Sequence, residues 1–65
     1  MPKTVFDVLT ESYQRQIEVL TGALARGSAK NYEEYKETCG SIRGLEYAIK
    51  EIEDLSRNYE DSIDE

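Results

Sequence analysis

The groups in this chain that could carry chemistry are one thiol, Cys39, five tyrosines and fourteen carboxylates; histidine is absent. Without an imidazole, acid–base work near neutral pH falls to a carboxylate, a phenol or the thiol, and each needs a concave, partly dry site to bring its pKa into range. The carboxylates Glu33, Glu34, Glu37, Asp54, Glu60 and Asp61 offer many oxygens, but no Asp-x-Asp-x-Asp-Gly loop or Glu-x-x-His pair organises them. They are expected to form solvated helix faces, with no metal or cofactor site. Cys39 has Glu37 nearby in sequence, which is not the electropositive setting of an activated thiolate. It reads as a small apolar residue in a tight layer. The expectation is a protein with no catalytic residue.

The elements that position these groups read as two helices. Phe6, Leu9, Tyr13, Ile17, Leu20 and Leu24 recur at three- and four-residue steps, the period of one helical face. Val5, Val8 and Val19 widen that stripe. Thr4 is a natural N-cap with Asp7 three residues on, and Gly27 stands where a helix-ending glycine belongs, which predicts a first helix over 5–26. A turn over 27–31 follows. Asn31 caps the second helix with Glu34 completing a capping-box pattern, and Ser28 is the alternative cap one turn earlier. Tyr32, Tyr35, Cys39, Ile42, Leu45, Ile49, Ile52 and Leu55 carry the period onward, predicting a second helix over about 32–60 before an acidic end that frays. Glu46 with Lys50, and Glu53 with Arg57, have the spacing of stabilising ion pairs. There is no strand signal, repeat or linker, so residues 1–65 form a single all-α domain, an antiparallel two-helix hairpin.

Charge is unevenly placed. The net charge is −6, with Lys3, Arg15, Arg26 and Lys30 outweighing the acids of the first half and eleven carboxylates dominating the chain from Asn31 onward. Such a surface repels phosphate, so direct binding to nucleic acid or an anionic membrane is not expected. The N-terminal segment lacks the pattern of a signal peptide, no apolar run approaches a membrane span, and a lone cysteine fits a reducing compartment.

Folding the chain about Ser28 opposes residues whose numbers sum to about 57. Ile17 then meets Cys39 and Gly40, Tyr13 meets the Ile42–Gly44 level, and Phe6 meets Ile49 to Ile52. Tyr13, Ile17, Cys39, Gly40 and Gly44 are thus the candidate close contacts, a bulky row against a small one. Two glycines in a helix cost about 1 kcal/mol each relative to alanine, which close approach by another backbone would offset. Three readings stay open: Gly40 and Gly44 face helix 1, they face a partner, or they mark a hinge. Residues after about Ser56 have nothing opposite them in this register, so Leu55, Tyr59 and Ile63, with Tyr35, are the candidate partner-binding residues. A chain of 65 residues without disulfide or metal gains from oligomerisation or docking. A homo-oligomer or a complex with other proteins is expected.

Three stretches, Thr4-Val5-Phe6-Asp7-Val8-Leu9, Ala23-Leu24-Ala25-Arg26-Gly27-Ser28-Ala29-Lys30-Asn31-Tyr32 and Tyr35-Lys36-Glu37-Thr38-Cys39-Gly40-Ser41-Ile42-Arg43-Gly44-Leu45, together resemble a group of small virion-associated proteins of tailed bacteriophages. The resemblance implies a structural or assembly protein at a head, portal or tail junction, located in the virion and in the host cytoplasm during assembly. It carries no catalytic motif. The alternative expectation is a small acidic phage regulator that binds and inhibits a host protein.

Overall fold

In the computed structural model, which describes residues 3–64 and their side chains through residue 59, the chain forms two helices, α1 (Val5–Ala25) and α2 (Tyr32–Asp64). They pack against each other as an antiparallel hairpin, with no strand among the described residues. The Cα trace measures 52 × 21 × 11 Å, a single layer about one helix thick.

The helix ends follow from local chemistry. The Asp7 N–H donates to Thr4 Oγ1 (3.2 Å) and the Thr4 N–H donates back to Asp7 Oδ2 (3.1 Å), a reciprocal capping box that satisfies two otherwise orphaned donors. At the other end, α1 stops one residue before the expected Arg26, which takes the cap position. The Ser28 N–H donates to the Ala23 carbonyl (3.0 Å) and the Gly27 N–H to the Leu24 carbonyl (3.0 Å), the paired bonds of a Schellman turn. Gly27 has φ 78°, a left-handed conformation that a Cβ would disfavour.

Asn31 caps α2, its Oδ1 accepting from the Glu34 N–H (2.9 Å). The reciprocal half of that box lands elsewhere than expected: Glu34 Oε1 accepts from the Lys30 N–H (3.1 Å), one residue earlier than the cap. Acidic Glu33 and Glu34 in the first turn suit the positive end of the helix dipole. The helix continues through Asp64, past the expected end near residue 60.

The seam between the helices holds Phe6, Thr10, Tyr13, Ile17, Leu20 and Leu24 of α1 against Thr38, Ile42, Leu45, Ile49, Ile52 and Ser56 of α2, all half-buried. No described residue is fully buried. A two-helix layer covers each stripe from one side only, so its seam lies open along both edges.

The register differs from the expectation. Phe6 packs on Tyr59, with ring centroids 6.0 Å apart, beyond the expected level of Ile49 to Ile52, of which only Ile52 shares a groove with it. Tyr13 lines a groove with Ala48 and Ile52, one to two turns beyond its expected level. Opposed residue numbers therefore centre on a sum of about 63 to 65. The six residues between Ala25 and Tyr32 do not reverse the chain symmetrically: they place the start of α2 beyond the end of α1. Tyr59 consequently has α1 beside it, contrary to the reading that residues after Ser56 face nothing. It is the first turn of α2, with Tyr32 and Tyr35, that overshoots. Ile63 lies outside the residues whose side chains are described.

Candidate interaction surface

Which groups flank the open seam decides what the layer can do. At about 100° per residue, the side chains bordering the seam divide onto two broad sides of the hairpin. One side carries Asp7, Thr10 and Glu11 of α1 beside Glu53, Ser56 and Arg57 of α2, which line a shallow polar groove with Phe6 and Ile52 at its floor. Charges on this side bind one another at its rim: Lys3 Nζ lies 2.9 Å from Glu11, and Arg57 lies 3.6 Å from Asp54. Arg57 thus takes the carboxylate three residues away rather than Glu53, and Glu46 and Lys50 form no ion pair.

The opposite side is apolar. Tyr13, Ala48, Ile52 and Leu55 line its central groove with Glu51 at the margin. Val5, Val8, Ser12, Val19 and Ala23 recur along α1 at three-, four- and seven-residue steps just outside the seam, and Ser41, Gly44, Ala48 and Leu55 do the same along α2. Val5, Val8, Val19, Leu55 and Tyr59 are each more than half exposed, and Leu9 is 39% exposed. The valines were expected to widen the intramolecular stripe. They do not, because one neighbouring helix covers only a narrow arc, and they lie outside it.

The glycines belong to this outer region. A Cβ added to Gly40 or to Gly44 would meet no atom within 4 Å, so the expectation that helix 1 closes on them is corrected. Neither glycine breaks α2, which runs through both. Of the candidate close contacts, Tyr13 and Ile17 lie half-buried in the seam, and Cys39 is half-buried toward Tyr35.

At the turn end, Tyr32 and Tyr35 stack with ring centroids 6.4 Å apart and planes 20° apart, and the Lys36 ammonium sits 5.4 Å from the Tyr32 ring centre. The Tyr35 phenol is held above its ordinary pKa of 10.0, chiefly by its hydrogen bond to the Cys39 side chain. Tyr47 is 70% exposed on the back of α2 beside Arg43, Glu46 and Lys50.

Among the described residues no cluster of metal-ligating side chains occurs, and no helix is long and apolar enough to cross a membrane. Sequence reasoning missed Val5, Val8 and Val19 as surface residues. Their signal was present as a second three-four period offset from the first, which a search for the strongest stripe absorbs into it. No family model matches the chain, and no curated protein or solved structure matches it either.

Proposed function

We propose that the protein is a non-enzymatic assembly protein that works by laying its apolar side against another protein surface. The observation that carries this reading is a single helical layer with no fully buried described residue, whose exposed aliphatic side chains, Val5, Val8, Leu9, Val19 and Leu55, lie on one side. Covering such a layer removes apolar area from water at about 25 cal/mol per Å², whereas an enzyme of this size would need an enclosed site. Leu55 in the central groove and Tyr59 beyond its end remain the partner-binding residues, joined by Val8, Leu9 and Val19; Tyr35 offers an edge contact at the turn end.

The likeness of three stretches to small phage virion proteins supports a place in a phage particle, where such a hairpin would bridge larger subunits at the head, portal or tail junction. Quantitative mass spectrometry of purified particles tests this. A fixed copy number in particles, lost in a Leu55→Glu variant, is expected; protein found in infected cells and never in particles would remove the reading.

A second reading has its own observation, the predominance of carboxylates in α2. An acidic regulator would bind a basic host protein through the polar side, with affinity falling steeply as salt rises. Retention of that binding in Leu55→Glu would favour it over the assembly role.

A further inference from the structure

We propose that the apolar side is covered by a second copy of this chain. The two hairpins stack face to face about a two-fold axis parallel to the helices, each α1 lying over the partner's α2 with both turns at one end, and form a four-helix bundle. The proposal rests on the reading of this side as an interaction surface and names its occupant.

The chain exposes 5420 Å², whereas a compact monomer of its 7.5 kDa mass would expose roughly 4,200 Å². The difference, roughly 1,200 Å², exceeds the roughly 800 Å² that each partner contributes to a standard specific interface.

Charge selects the occupant and its orientation. On the apolar side and its outer margin, α1 and its cap present Arg15 and Arg26, while α2 presents Glu33, Glu37 and Glu51, all exposed. None of these five is in an ion pair within the described chain. One chain thus carries both halves of a complementary pair of edges. Setting α1 over the partner's α2 brings the basic edge to the acidic edge twice, once on each flank of the bundle. The other face-to-face arrangement, α1 over the partner's α1, would set arginines against arginines and glutamates against glutamates.

Shape agrees with that choice. Rotation about an axis parallel to the helices leaves every residue at its own height, so the levels observed within the hairpin also hold between copies. A sum near 63 puts Val8 level with the partner's Leu55, Val19 level with the partner's Gly44, and Arg26 level with the partner's Glu37. The open space over Gly44 receives the branched Val19 side chain, which gives that glycine a steric reason inside a helix.

Analytical ultracentrifugation with charge exchange tests the proposal. The wild-type chain is expected to sediment as a dimer at about 100 µM, where a complex of micromolar Kd is nearly complete. Arg15→Glu with Arg26→Glu, and separately Glu37→Arg with Glu51→Arg, should each weaken the dimer about tenfold or more. All four substitutions in one chain should restore it, and mixing the two double variants should give a heterodimer. In a Cys39→Ser chain, Val19→Cys mixed with Gly44→Cys should form an intermolecular disulfide, while Val19→Cys alone should not. Circular dichroism checks that each variant stays helical. Preferential cross-linking of Val19→Cys to itself, or double variants as dimeric as the wild type, would overturn the arrangement. A wild-type monomer would overturn self-association; if Leu55→Glu still abolished incorporation into particles, the wider interaction reading would stand, and if it did not, both would fall.

Discussion

The two broad sides of this hairpin share a seam and differ in what they do with it. On the polar side, Asp7, Glu11, Glu53 and Arg57 rise around Phe6 and Ile52, and the charges meet one another or water. On the apolar side the same helices present valines, a leucine, a tyrosine and small residues, and no described residue covers them. The polar side resembles a finished protein surface. The other has the composition of a bundle interior cut along its middle, and the proposed association rests on that difference.

Charge placed on one side at a time should separate the two sides most directly. Val19→Glu with Leu55→Glu should weaken association by about 100-fold or more, since each buried Val or Leu side chain is worth about 1.5–3 kcal/mol; Gln14→Glu with Glu53→Gln, at exposed positions of the polar side, should leave sedimentation unchanged. Equal effects from both pairs would erase the distinction. Gly27→Val should destabilise the hairpin by about 1–2 kcal/mol in thermal melts, because a branched residue resists the left-handed turn, and it should do so without regard to side. Gly44→Leu should separate the sides more finely. With open space over its Cβ the substitution should raise the helicity of dilute protein, worth about 0.8 kcal/mol in propensity, yet reduce association at high concentration. The smallest effect belongs to Arg57→Ala, which removes an exposed pair 71% and 53% accessible and should change stability by less than about 0.5 kcal/mol.

Much of the fold is legible in the sequence because helix ends are local. Thr4 with Asp7, Gly27 after Arg26, and Asn31 with Glu34 each satisfy backbone groups within a few residues, and all three act at the expected places. Only the return bond of Glu34 moves, to the Lys30 N–H. Register is not local. It depends on the path taken between Ala25 and Tyr32, and a fold assumed symmetric about Ser28 misses that path by one to two turns. The site was legible in part. Leu55 and Tyr59 emerge as exposed for a reason different from the expected overhang, while Gly40 and Gly44 face outward because the seam is narrower than the apolar period suggests.

The Phe6–Tyr59 contact has a kinetic consequence. Its partners are 53 positions apart in sequence, whereas residues beside the capped turn meet across the shortest loops. Loop-closure entropy favours zipping from the turn outward, so this aromatic pair should form after the rate-limiting step of hairpin folding. Phe6→Leu should therefore accelerate unfolding and leave the refolding rate nearly unchanged in stopped-flow chevrons, and a slowed refolding limb would place the pair in the folding nucleus instead.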